Sequence, residues 1–538
     1  MNKWQTKQQL TDLLCSLVEY PSVTGTKAEI AIFEYLYYIL EDHDYYKNNP
    51  SHLTLHPLDD GRQLLTALVK SGDAKETIVL LSHADVVSVQ DYGSWENLAF
   101  YPKELTQEFR KDLDELPEDA AYDLETGDWL FGRGTMDMKA GLVVHLSLLE
   151  KAMNGEFEGN LLLLAVPDEE VNSKGMLTAL PVLEKIKQEE GLEYKATING
   201  EPMFSKYPGD PSYYLYTGSI GKVLPGFLCY GKETHAGEPF GGLNANLMIS
   251  YLAKELELNE MFIEEVNGER TPPPISLMQR DLKEEYSVQT PQAAVTMYNV
   301  LYMKQTISEL NDKLLQAAER AKKNIISHYA RQASYYLQTS QTSSFDPSIH
   351  IFTYDQLYNE AVQRHGKSEV ERRQNLLIKQ RDKGDRDFST LLVQQLASLC
   401  KDITPMIVLF YSPPFYPAVS SSEDPFIQRA AKQAISFAEK EFGVVVSEQE
   451  YFPGLSDLSF IGPASRQSPL EELLRQMPIQ GKGFNLPANV MESLTMPIIN
   501  IGPLGKDAHQ WTERLQLPYS FEQLPQIVTE TIHYFFRS

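Results

Sequence analysis

Four short apolar runs, each ending abruptly in polar or turn-forming residues, constrain this chain most: TIVLLSHADVV at 77–87, NLLLLAVPDEE at 160–170, KATINGEP at 195–202 and MPIINIGPLG at 496–505. Runs that stay apolar, rather than alternating, are expected for strands buried on both faces, as in a mostly parallel sheet. Amphipathic segments at 138–153 and 175–189 supply crossover helices between them. Two further helices are predicted over 7–19 and 26–41, separated by the turn-forming YPSVTG. The fold class is therefore α/β, a mostly parallel (mixed) sheet flanked by helices. Ligands bind beyond the carboxyl ends of the strands in such sheets, which makes the polar residues closing each run the candidate site.

At 538 residues the chain is long enough for two or three domains. We divide it into a first domain at 1–212, an insert at 213–402 with long charged helical stretches at 305–330 and 366–400, and a return to the first domain at 403–538. PMIVLFY at 405–411 is expected to restart the first domain's strand pattern, and the charged segment 102–127 to be a solvated excursion. The 74 acidic residues against 48 basic give a formal charge of −26, which argues against nucleic-acid binding and leaves carboxylates for a cation. Cys15, Cys229 and Cys400 are too dispersed for a thiolate zinc site or a disulfide framework and fit a reducing compartment. Without a run of eighteen apolar residues or a signal-like amino terminus, a cytoplasmic protein with no membrane partner is expected.

His83, Asp85, Asp137, Glu169, Glu170, Glu201 and His509 each sit near a predicted strand end or in a glycine-bearing loop. Parallel strands would bring them together, and imidazoles with carboxylates are a sensible donor set for two divalent ions, one carboxylate bridging. Taken singly, each signal has an ordinary explanation. A His-x-Asp arises by chance, paired glutamates often open a helix, and GEP or GPLGKDAH are common turns. Their joint occurrence, in order and at strand ends, is what chance explains poorly. The glycine-rich FGRGTMDMKAG at 131–141 is not a phosphate loop: Lys139 is followed by Ala140 and Gly141 rather than Ser or Thr, and Asp137 interrupts GxGxxG. Its glycines are expected to turn the backbone so that Asp137 faces a metal site, with Lys139 incidental.

The ordered series SHADVV, FGRGTMDMKAG, VPDEEV, NGEP and IGPLGKDAH resembles the motif set of the dinuclear zinc exopeptidases and deacylases that include carboxypeptidase G, aminoacylase, acetylornithine deacetylase and succinyl-diaminopimelate desuccinylase. It covers residues from about 8 to 240 and from 403 to 535. In length and enlarged insert the chain resembles the branch associated with arginine utilization in bacilli. The resemblance implies a zinc-exopeptidase-like catalytic domain carrying an inserted α+β lid or dimerisation domain. It also implies a metal-dependent amidohydrolase or metallopeptidase: an N-acyl-amino-acid deacylase, or an exopeptidase for short peptides, linked to arginine catabolism. Two divalent ions are implied, zinc first with cobalt and manganese as alternatives. His83, Asp137 and Glu201 would hold one ion and Asp137, Glu170 and His509 the other. Asp85 would accept a hydrogen bond from the far nitrogen of His83, Glu169 would be the general base, and the Asp137–Met138 peptide would be cis.

GKETHAGEPFGGLNAN at 231–246 resembles the family's lid motif, which implies oxyanion stabilisation by His235, in many relatives across a homodimer interface, and a substrate contact by Asn244. Two departures stand out. The strand segment TMYNVLYMKQ at 296–305 lacks the arginine with which many relatives grip a terminal carboxylate. The stretch from about 330 to 400 exceeds the usual lid, with room to reshape the pocket, block the usual dimer or supply a replacement such as Arg386. The alternative reading is a catalytically altered binding or regulatory protein on the same scaffold.

Overall fold

The computed structural model describes residues 3–207, 209–337, 345, 347–466 and 470–538. The chain folds as two units: residues up to Ile220 with Val419–Ser465 and Pro487–Ser538, and Gly221–Ala418 with Arg466–Leu486.

In the first unit an eight-stranded mixed sheet runs in the order Leu53–Pro57, Gln63–Val69, Asn160–Val166, Glu76–His83, Glu193–Asn199, Ile498–Asn500, Tyr213–Tyr216, Val446–Gln449. The four apolar runs of the sequence are its four adjacent parallel strands. Their register aligns His83 with Val166, Leu81 with Asn199, and Asn199 with Asn500, so the polar residues that follow emerge along one edge. Ile78, Leu80, Leu161, Leu163, Ala196 and Ile198 join one apolar core with the helices Lys7–Val18, Lys139–Met153, Pro425–Phe442 and Leu524–Arg537. The intervening Val79, Leu81, Leu162 and Leu164 are equally buried and face the opposite side, as strand alternation requires.

The helices expected near 7–19 and 26–41 are Lys7–Val18 and Lys27–Glu41. The first begins at a reciprocal cap, in which Thr6 Oγ1 accepts from the Gln9 amide at 3.3 Å and Gln9 Oε1 from the Thr6 amide at 3.1 Å. The segment 102–127 is not the solvated excursion expected. It forms the helices Pro102–Lys111 and Glu118–Thr126, which bury Leu105, Phe109, Ala120 and Leu124 against Tyr92, Trp129 and Phe131. The apolar residues recur at helical spacing, and the acidic and basic residues that dominate the composition occupy the outer faces, except for the buried Asp123, which accepts from Lys506 Nζ at 2.9 Å and Arg514 Nε at 2.7 Å.

The second unit is built on a five-stranded sheet ordered Ile275–Asp281, Ala293–Tyr302, Gly221–Tyr230, Met406–Tyr416, His350–Thr353. The strand expected at 405–411 to rejoin the first domain is here instead, antiparallel to Gly221–Tyr230. Its run is apolar because both sides are covered, a property that does not identify the sheet a strand joins. Residues 466–486, expected in the returning first domain, also belong to this unit. The enlarged insert forms the edge strand His350–Thr353 and the helices Tyr354–His365, Lys367–Lys379 and Asp385–Leu399. Tyr354, Leu357, Val370, Val393 and Leu396 pack on Leu224, Leu228, Val295, Val408 and Phe410. The alternate residues Phe227, Cys229, Ile407 and Leu409 are fully buried as well, so the central strands are covered on both faces.

Candidate metal centre

His83 ends its strand, and Glu201, Glu169–Glu170 and Asp137 arrive from the loops that follow neighbouring elements. His83 Nε2 lies 3.3 Å from Asp137 Oδ1, 3.5 Å from Glu201 Oε1 and 3.9 Å from Glu169 Oε2. The other oxygen of Asp137 faces His509 Nε2 at 3.3 Å, and that nitrogen is 3.0 Å from Glu170 Oε2. Asp137 thus stands between the two imidazoles. Donor atoms of His83, Asp137 and Glu170 lie within 4.8 Å of one another, as do those of His83, Glu169 and Glu201. The Asp137–Met138 peptide is cis.

Glycines set these distances. A Cβ on Gly141 would stand 2.0 Å from the Gly200 carbonyl oxygen, and one on Gly502 would stand 1.8 Å from the Glu201 carbonyl oxygen. The helix Lys139–Met153 and the loop at 502 therefore close on the NGEP turn as only glycine permits.

The electrostatics leave the cluster short of positive charge. Burial, and then the neighbouring carboxylates, push Glu169 and Glu201 well above the usual carboxylate range and raise Glu170, while the imidazoles oppose the shift. Asp137 is held low by His509 and His83 against its burial. Burial works against a charged His509, but Asp137 and Glu170 outweigh it and raise the imidazole to about 11. Four carboxylates around two imidazoles, with Glu169 Oε1 buried and without a hydrogen-bond partner, are suited to a divalent cation and poorly suited to an apolar ligand.

Asp85 is placed differently from the expectation. The Nδ1 of His83 faces the backbone carbonyl of Asp85 at 3.0 Å, and the carboxylate only at 3.6 Å. That carboxylate accepts instead from the amides of Glu169 at 3.1 Å and Glu170 at 3.3 Å, and from the Thr24 hydroxyl at 2.7 Å. It holds the backbone of both glutamates at once. Asn244 caps the helix Ala245–Leu256, its Oδ1 accepting from the Asn246 amide at 2.9 Å. His235 is an exposed loop residue of the second unit whose Nδ1 accepts from the Gly237 amide at 3.0 Å. With Nδ1 accepting, Nε2 is left as the N–H donor. Arg386 is exposed in the first turn of Asp385–Leu399, its guanidinium without a partner among the described residues.

Several supporting residues escaped the motif reading. The fully buried Glu513 accepts at Oε1 from the amides of Met136, 3.1 Å, and Asp137, 3.3 Å, and at Oε2 from Arg133 Nη1, 2.8 Å. Asp168 and His509 both adopt left-handed backbone, φ 69° and 64°, which L residues visit sparingly. Asp168 is pinned by Arg62, 2.7 Å from its Oδ1, and by Glu29, which accepts the Asp168 amide at 2.9 Å. Asp457, pushed up to about 7 by burial, lies within electrostatic reach of Glu169 and Glu201. Nor is Lys139 incidental: its buried ammonium donates to the carbonyl of Leu17, 3.1 Å, in the last turn of Lys7–Val18, and to that of Tyr20, 2.9 Å, just beyond the helix. The spacing of Glu513 four residues after His509 is the one cue that was available; the rest carried no strand-end signature.

The chain is similar to known proteins along nearly its whole length. Residues 109–470 match Peptidase family M20/M25/M40. The chain is 52% identical to the uncharacterized protein YqjN of Bacillus subtilis, covering 98% of this chain and 96% of that one. It is 30% identical to Protein RocB of the same organism, covering 97% and 94%. Among solved structures, the aminopeptidase PepT of Bacillus cereus superposes with a TM-score of 0.53 at 14% identity, covering 99% of each chain. The chain belongs to peptidase family M20/M25/M40, as a metal-binding hydrolase of peptide or other C–N bonds.

Proposed function

We propose that this chain hydrolyses the amide bond of an N-acyl amino acid or removes one residue from a short peptide, with Glu169 as general base. The observation that carries this reading is the Glu169 carboxylate, buried, raised in proton affinity and with Oε1 left without a partner amid a metal-ligand cluster. A residue whose task is to take and return a proton needs such an unengaged oxygen. His83, Asp137 and Glu201 would hold one divalent ion and Asp137, Glu170 and His509 the other, zinc first. When bound, such ions polarise a carbonyl and acidify water. Asp85 keeps Glu169 and Glu170 in place through their amides. Glu169 takes the proton of the attacking water and delivers it to the leaving nitrogen. His235 offers Nε2–H to the oxygen that becomes negative as the carbonyl is attacked, and Asn244 has its amide NH2 for the substrate.

The likeness to Protein RocB fits the arginine-utilization branch, so acylated arginine and ornithine are the first substrates to try. With no arginine in the strand Ala293–Tyr302, Arg386 is the proposed grip for a substrate carboxylate. A cytoplasmic location and a homodimer complete the proposal. Among the described residues no helix is long and apolar enough to cross a membrane.

The test is a screen of N-acyl amino acids and dipeptides with zinc, manganese or cobalt, alongside metal analysis. Turnover with about two ions per chain supports the reading. Full metal loading with no substrate turned over would favour the binding-protein alternative.

A further inference from the structure

A cavity of about 640 Å³ lies within the second unit, between the end of the outer strand Ile275–Asp281 and one face of the helix Asp385–Leu399. Its helix wall is Asp387, Thr390, Leu391, Gln394, Gln395 and Ser398, which recur at the spacing of a single helix face. The volume falls in the range of small-molecule sites.

Most charges around it are already engaged. Arg280 pairs with Asp387 at 2.5 Å, Asp281 accepts from Asn246 Nδ2 at 3.0 Å, and Lys283 Nζ donates to the carbonyls of Ser287 and Gln289 at 2.9 and 2.8 Å. Three groups are left over. The side-chain amide of Gln395 is buried at both Oε1 and Nε2, with no hydrogen-bond partner for either. Such a group is costly to leave unmet and has both donor and acceptor capacity to offer a ligand or a water. On the exposed rim, the ammonium of Lys383 and the carboxylate of Glu284 have no partner among the described residues.

One cation, one anion and a buried amide that must both donate and accept suit a zwitterion with a hydrogen-bonding side chain. We propose that this cavity binds a free α-amino acid whose side chain both donates and accepts hydrogen bonds. Lys383 receives its carboxylate, Glu284 its ammonium group, and Gln395 the polar end of the side chain.

Isothermal titration of the intact, metal-loaded protein with L-glutamine, L-asparagine and L-citrulline, against L-leucine as control, tests this. At least one polar probe is expected to bind saturably and L-leucine not at all. Gln395→Leu should weaken binding by tenfold or more, and Lys383→Ala and Glu284→Ala by threefold or more, with basal turnover of any acyl substrate unchanged. The rim variants decide the matter if Gln395→Leu fails to fold. Binding by none of the polar probes overturns the proposal, as does binding that survives both rim substitutions. So does binding that disappears in His83→Ala, which would put the probe at the metal centre. A failed substrate screen leaves this test intact, because it reads binding rather than hydrolysis.

Discussion

At the residue scale, the division of labour between adjacent glutamates can be separated by experiment. Glu169→Gln keeps size and polarity but removes the base, so turnover is expected to fall by about 10²–10⁴ while two ions per chain remain, read by steady-state kinetics and metal analysis. Loss of metal along with activity would instead make Glu169 a ligand. Glu513 acts at one remove, through the amides of Met136 and Asp137. Glu513→Gln turns an amide donor toward Arg133, and metal affinity is expected to fall about 10–100-fold, with the rate per loaded site much less changed. An unaltered affinity would show that the loop holds itself. His145 offers a pH signature. Its Nδ1 lies 2.8 Å from Ser82 Oγ, and burial pushes the imidazole down to about 3. Above about pH 6.5 the ring is neutral whether the chain is folded or not. As pH falls toward 3 the unfolded chain gains a proton that the folded one refuses, and stability drops by up to about 1.4 kcal/mol per pH unit. His145→Asn should reduce the slope of urea midpoint against pH by about one proton over that window.

At the element scale, the contact between the helix Lys139–Met153 and the NGEP turn decides where Glu201 stands. Alanine in place of Gly141 would gain about 1 kcal/mol of helix propensity. The methyl would meet the Gly200 carbonyl at 2.0 Å, however, and overpacking of this kind costs about 1–3 kcal/mol. Gly141→Ala is therefore expected to be mildly destabilising in urea titration yet severe for metal binding and activity, since Glu201 follows the displaced residue. Unchanged metal binding would mean that the loop adjusts without moving its ligand. The helices of 102–127 and the insert helices over the second sheet teach a related lesson. A charge-rich composition suggests a solvated segment, yet Leu105 and Phe109, or Val393 and Leu396, hold an apolar stripe at helical spacing.

For the whole molecule, the metal centre should govern stability. Four carboxylates facing the buried His83 and the half-exposed His509 are held by protons in the cation's absence, and each bound ion stabilises the folded chain by mass action, about 2.7 kcal/mol at a hundredfold excess over its dissociation constant. Dialysis against a chelator is expected to lower the calorimetric Tm by several degrees, with recovery on adding zinc, cobalt or manganese but not calcium, because the site supplies imidazole nitrogen as well as oxygen. Recovery with calcium alone would point to an oxygen-only site. The sequence by itself determined the four central strands and their polar ends, among them His83, Glu169, Glu170 and Glu201, which gather at the candidate metal centre, because a strand buried on both faces writes a continuous apolar run and its parallel neighbours must end together. It did not determine that 405–411 joins the second sheet, that Asp85 holds amides rather than an imidazole, or that Lys139, Glu513 and Arg62 brace the segments around the site. Those assignments depend on which buried polar group finds which partner across hundreds of residues, and only tertiary packing decides that.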